Sequence, residues 1–108
     1  MTGAPRPGEI YWMESADAQG HEQGGRRPVL VVTDARLAGL GLTWVVPLTT
    51  TDRGWPLHVR VRVQGRVGVA LCEQLRSVST ARLGRLVGGV SHDELMDVRA
   101  VLHDIVGH

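Results

Sequence analysis

Lysine and phenylalanine are absent from this 108-residue chain, and cysteine occurs once. A lone Cys72 permits no internal disulfide and no cysteine-ligated zinc site, which leaves it as a small core residue. No run of about 18 apolar residues occurs, so no helix is expected to span a membrane. The opening MTGAPRPGEIYW has neither the basic head nor the apolar core of a secretory signal, and a cytoplasmic protein is expected. His21, His58, His92, His103 and His108 fall into no metal-ligand spacing such as H-E-x-x-H, and none pairs with another like a nuclease acid–base couple. A G-x-S-x-G elbow and a P-loop are both missing. Neither cofactor nor metal is therefore expected, and any RNA cleavage would have to run on arginine and hydroxyl chemistry.

The missing lysine means that all twelve cations are arginine, whose planar fork suits phosphate oxygens. Net charge is only +1, but it is unevenly placed. Residues 1–90 set eleven arginines against seven carboxylates, and residues 91–108 set Arg99 against Asp93, Glu94, Asp97 and Asp104. The basic part coincides with the part rich in strand signals.

One domain over residues 1–108 is expected from the length, with no internal repeat and no linker. GEIYWME (Gly8–Glu14) reads as a first strand. Ser15–Arg26 is polar and rich in glycine, hence a loop. RPVLVVT (Arg27–Thr33) is a short aliphatic run typical of a central, buried strand, with Pro28 tolerable at its opening. Asp34–Leu42 reads as a connection. Thr43–Thr50 is another strand, in which Pro47 suggests an edge or a bulge. Thr51–Pro56 is turn chemistry. In Leu57–Gln64, Val59, Val61 and Val63 alternate with Arg60 and Arg62. Gly65–Gly68 turns the chain, Val69–Leu75 is a further core strand, and Arg76–Val90 holds a helical turn near Thr80–Arg82 followed by a strand. The C-terminus is a clear helix. Ser91 and Glu94 form a capping box, and Leu95, Val98, Leu102 and Ile105 make one apolar face before Gly107. About six short strands and one helix predict a mainly β, α+β fold: a small, SH3-like antiparallel barrel or bent sheet with the helix packed on it.

Three clusters can carry chemistry. In HEQGGRRPVLVV (His21–Val32), Arg26 and Arg27 stand where a glycine-rich loop becomes a rigid strand. Arg27 borders Pro28, and its fixed backbone suits a phosphate or the charge that develops on one. Glu22 can orient Arg27 or contact a base. In PLTTTDRGWP (Pro47–Pro56), a threonine hydroxyl at a strand end can hold phosphate, and Arg53 beside Trp55 resembles a stacking platform, worth about 1–3 kcal/mol per base. In CEQLRSVS (Cys72–Ser79), Gln74 can read a base edge and Arg76 can meet a phosphate. Each feature has a plain alternative: a solvated charge, a strand-forming threonine or a core tryptophan.

PGEIYW, EQGGRRPVLVV, VVPLTTTDRGWP and GVALCEQLRSVS, in that order and spacing, resemble the MazF/PemK family of toxins, as does the helix after VSHDEL. The resemblance covers the chain from about Pro7 to His108. It implies a homodimeric, sequence-specific, metal-independent endoribonuclease of SH3-like fold that cuts single-stranded mRNA. The RNA's own 2′-hydroxyl attacks, leaving a 2′,3′-cyclic phosphate and a 5′-hydroxyl. Arg27 matches the family's catalytic arginine and Thr50 its threonine partner, with Thr49 open because three threonines run together. Glu22 and Gln74 match RNA-contacting positions; Arg26, Thr49, Arg53, Trp55 and Arg76 complete the expected RNA surface. His21 and Glu22 are the candidates for taking the 2′ proton. The implied partner is a MazE-like antitoxin with an acidic C-terminal segment.

Two other readings stand beside this one. CcdB-like toxins resemble the fold but bind DNA gyrase without nuclease chemistry, and an SH3-like barrel can be a plain interaction module. Phosphate-ready groups at two strand ends favour cleavage. A basic 1–90 region predicts RNA binding that weakens as salt rises, because neutralising phosphates releases counterions. Titrating a single-stranded RNA at increasing salt checks this, and an affinity that stays flat counts against it.

Overall fold

The computed structural model describes residues 3–14 and 26–107. Among these, seven strands, two α-helices and two turns of 3-10 helix follow one another. The order is β1 (Glu9–Glu14), β2 (Arg26–Val31), α1 (Ala35–Ala38), β3 (Leu42–Thr49), β4 (His58–Val63), β5 (Arg66–Leu71), a 3-10 turn (Cys72–Gln74), β6 (Arg76–Ser79), a second 3-10 turn (Thr80–Arg82), β7 (Leu83–Gly89) and α2 (His92–Val106). The mainly β fold with a C-terminal helix is the expected one. Every strand pairing is antiparallel. The strands form a curled sheet in the order β4-β5-β3-β2-β1-β7, with β6 also against β3.

β2 sits in the middle and is buried on both faces, which is why it reads as an unbroken aliphatic run. Leu30 and Val32 join Val46, Val61, Ala70, Cys72, Val98 and Leu102 in a core beneath α2. Val29 and Val31 point the other way, into a second cluster with Met13, Val45 and Val78. Cys72 is fully buried, as expected.

β3 is the strand that sequence reasoning described least well. Pro47 lies on neither an edge nor a bulge: it faces Val29 of β2 and is buried. Along its other side, β3 pairs with β6 over Leu42–Val45 and with β5 over Leu48–Thr49. Val46 and Pro47 fall in the interval between these partners, where a missing N–H breaks no ladder on that side.

Four further boundaries differ from expectation. The Asp34–Leu42 connection contains α1, capped by the Asp34 side chain accepting from the Arg36 amide at 2.8 Å. The turn expected at Gly65–Gly68 is the two-residue bend Gln64–Gly65, with φ of +52° and +80°. Those angles suit the tight hairpin that joins Val63 to Arg66. The strand expected to reach Leu75 stops at Leu71 and continues as the Cys72–Gln74 turn. β6, four residues long, was absorbed into the Arg76–Val90 segment. On α2, Leu95, Val98 and Leu102 are buried, whereas Ile105 and Val106 are exposed, so the last turn runs beyond the sheet's cover.

α2 is fastened at two points. Arg99 donates from Nε and Nη2 to the Val32 carbonyl at 3.2 and 2.9 Å. Glu94 completes the capping box with Ser91, and its Oε2 also accepts from the Arg62 amide of edge strand β4 at 2.7 Å. Burial pushes the Glu94 carboxyl up, but hydrogen bonds from Ser91 and the Arg62 amide outweigh it and hold it below the usual range. A carboxyl lowered in the folded state contributes stability at neutral pH and loses it as pH falls through that lowered value. Glu94→Gln should therefore destabilise the fold by about 1 kcal/mol at pH 7. The gap to wild type should narrow near pH 3, as urea melts at the two pH values would show; an unchanged gap would count against the charge.

Candidate active site

The pairing of β2 with β3 decides which residues meet. The register sets Val29 opposite Pro47 and Val31 opposite Val45. Arg27 lies two residues before Val29 and Thr49 two residues after Pro47, so strand alternation puts Arg27 on the face of Val29 and Thr49 on that of Pro47. Thr50 lies just beyond the end of β3.

The cavities agree with this parity. Arg27 and Thr49 both line a hollow of about 450 Å3 that also takes in Thr50, Arg26, Trp12 and the β4–β5 hairpin. The same two residues line a neighbouring hollow of about 330 Å3 with Arg53, Trp55, His58, Glu73 and Gln74. Arg27 and Thr49 thus form the wall between two chambers, whereas Arg26 and Thr50 reach only the first. Of the two arginines, Arg26 lies over the Trp12 ring, 5.2 Å from its centroid, and Arg27 is free of such a contact among the described residues. Arg27 thus shares the first hollow with both Thr49 and Thr50, and the second with Thr49. The Thr49 hydroxyl oxygen accepts from the Thr51 amide at 3.2 Å, leaving its proton to donate.

The loop carrying Arg53 and Trp55 is braced at its base. Asp52 accepts from the Gly54 amide at 2.8 Å and from Arg60 Nε at 2.7 Å. Those bonds, the Gly54 amide first, hold its carboxyl below the usual range. Gly54 adopts φ +71°, which favours glycine. Trp55 is half exposed and stacks on His58 with centroids 5.0 Å apart. His58 in turn bonds Glu73 at 3.1 Å through Nε2. In the sequence His58 shows neither metal-ligand spacing nor a histidine partner; its placement just after the tryptophan turn is the available signal.

Arg76 is not brought to either chamber: it opens β6 opposite Val45. Glu22, His21 and the two glycines beside them lie outside the described residues. A larger cleft of about 650 Å3, lined by Glu9, Tyr11, Thr80 and Leu86, holds none of the candidate site residues. There Tyr11 donates to Glu9, and burial, that bond and the Glu9 charge push its hydroxyl up to about 12. Among the described residues no cluster of three or more histidine, cysteine or acidic side chains could hold a metal ion. No described helix is long and apolar enough to cross a membrane.

The described site thus gathers a guanidinium and threonine hydroxyls at a strand end, beside a half-exposed indole and an amide. Known proteins of this kind share its architecture. Residues 6–106 match the family described as the PemK-like, MazF-like toxin of type II toxin–antitoxin systems. The chain is 32% identical over 105 residues to the endoribonuclease toxin MazF of Escherichia coli K12, covering 95% of both. The crystal structure of MazF from Deinococcus radiodurans superposes with a TM-score of 0.83 at 33% identity, covering 99% of this chain and 100% of that one. A MazE–MazF complex from the same organism gives 0.79 at 29% identity, covering 98% of each chain. The chain belongs to the PemK-like, MazF-like toxin family. These comparisons give no support to the gyrase-binding alternative.

Cys72 leads the turn that carries Glu73 and Gln74. Burial, then the Glu73 charge, push its thiol up to about 11. It should resist Ellman's reagent in the native protein and react as one thiol in denaturant. Fast native labelling would show that this turn opens readily.

Proposed function

We propose that this chain is an endoribonuclease toxin that cuts single-stranded mRNA at a short sequence motif. The observation that carries the reading is the Arg27–Thr49 wall shared by two chambers, which suits a scissile phosphate with a nucleotide on either side. Family membership and the naming of the Escherichia coli relative as an endoribonuclease support it.

In this mechanism the RNA's 2′-hydroxyl attacks the adjacent phosphorus, the 5′-oxygen leaves, and a 2′,3′-cyclic phosphate and a 5′-hydroxyl end result. Arg27 stabilises the charge that grows on the non-bridging oxygens. It is a poor base, since its guanidinium stays protonated far above neutral pH. Thr49 donates to the phosphate and fixes its position. Trp55 stacks on a base, Gln74 reads a base edge, and Arg26 and Arg53 hold flanking phosphates. Arg76 lies away from both chambers and is left out of this set.

The active form in this reading is a cytoplasmic homodimer. The Deinococcus MazE–MazF complex supports a MazE-like antitoxin as its partner. In this reading its acidic segment lies over the RNA groove.

The experiment is cleavage of a long single-stranded RNA in excess EDTA. Wild-type protein should give discrete fragments with 5′-hydroxyl and 2′,3′-cyclic phosphate ends. Arg27→Ala should slow cleavage by about 10²–10³-fold, the loss expected for one donor to a developing oxyanion. Intact RNA with folded wild type, across varied sequences, would overturn the nuclease reading; cleavage restored only by added metal would overturn metal independence.

A further inference from the structure

His58 is an anomaly of its strand. In β4 the residues two and four further on, Arg60 and Arg62, are exposed, as alternation requires of a half-buried strand. His58 shares their parity, yet its side chain is only 3% exposed. Two groups enclose it. Trp55 covers the ring, with planes 26° apart, and the His58 amide donates to the Trp55 carbonyl at 3.0 Å. Glu73 lies at the other side, with Nε2 3.1 Å from both carboxylate oxygens and hydrogen-bonded to Oε2.

Among the described residues, His58 Nδ1 and Glu73 Oε1 are buried with no hydrogen-bond partner. Among the described residues, the approach of Nε2 to the Glu73 carboxylate is therefore the polar contact that fixes these two side chains. A buried pair held by a single contact adds little to stability, since desolvation offsets its attraction. It is well suited to hold orientation. The tryptophan loop is braced at Asp52, and the Glu73–Gln74 turn is rooted in the core through Cys72. The β4–β5 ladder joins these two supports through the backbone, and His58 joins them through side chains.

We propose that His58 is a positioning residue for RNA cleavage. It fixes the Trp55 indole and the Glu73–Gln74 edge at one separation, so that a base stacked on Trp55 meets that edge in a single orientation. This rests on the nuclease reading and deepens it. The nucleotide concerned is the one in the chamber that Trp55 closes. Holding a site's contact groups in advance favours one geometry over its neighbours, and a displacement of about 1 Å can cost about 10²-fold.

The test uses the full-length protein on a randomised single-stranded RNA pool with sequenced ends, together with kinetics on one mapped site and thermal melts. His58→Phe keeps a ring against Trp55 and loses the bond to Glu73. It should lower kcat/KM about tenfold or more and broaden base preference at one motif position. His58→Gln, which keeps an N–H for Glu73, should recover most of the preference. Should His58→Phe not fold, Trp55→Ala and Glu73→Gln serve in its place: each should relax the same motif position, and the double variant should relax it no further. An unchanged motif, a rate loss that merely follows the loss in Tm, or relaxation at two different positions would overturn the proposal. Those outcomes leave wild-type cleavage intact and so spare the nuclease reading. Folded wild type that cuts nothing overturns both.

Discussion

The sheet depends on one strand changing partners midway. β3 carries β2 along its middle, over Val45–Pro47, while its other side serves β6 first and β5 afterwards. That change curls the sheet, because two strands cannot continue one another in a plane when both must follow the same twisted neighbour. Pro47 marks the interval with a residue that has no N–H to offer. Downstream of it, β3 delivers Thr49 beside Val69 of β5, into the hollows that Arg27 of β2 also lines. The turn after β5 then sets Glu73 and Gln74 within the same hollow. The site is thus assembled at the strand end where β2, β3 and β5 converge, and its backbone geometry is inherited from the ladder. The Trp55 loop is added to this frame and needs its own brace at Asp52.

Much of this was legible in the residues. The Ser91–Glu94 capping box, the alternation of Val59, Val61 and Val63 with arginine, and the aliphatic run after Arg27 depend on near neighbours alone, and each led to the right element. The failures are long-range. Pro47 looked like an edge signal because its safe interval exists only once β6 and β5 have been placed. β6 is too short to show a period of its own. Cys72–Gln74 looked like strand because Val69, Ala70 and Leu71 before it are apolar. Thr49 and Thr50 cannot be told apart by composition; the fold ends β3 at Thr49 and puts both in the hollow that Arg27 lines. Burial of His58 follows from Trp55 and Glu73, one close in sequence and the other 15 residues away.

Arginine carries more than charge in this molecule. Arg99 ties helix to sheet, Arg60 steadies a loop, Arg82 donates to the Glu14 carbonyl at 2.9 Å, and Arg36 closes on its own helix cap. Arg27, in contrast, has no such structural engagement among the described residues. In a chain that uses four other guanidinium groups as fasteners, one on a rigid strand without such a tie among the described residues has its donors available for an incoming anion.

The Glu94 carboxylate serves two masters, the start of α2 and an amide on the outer rim of β4. An edge strand exposes backbone groups that recruit other strands, and long unpaired edges invite aggregation. Here α2 supplies the group that occupies one such position. Helix capping and cover for the β4 rim therefore hang on a single carboxylate, so that the two are gained or lost together.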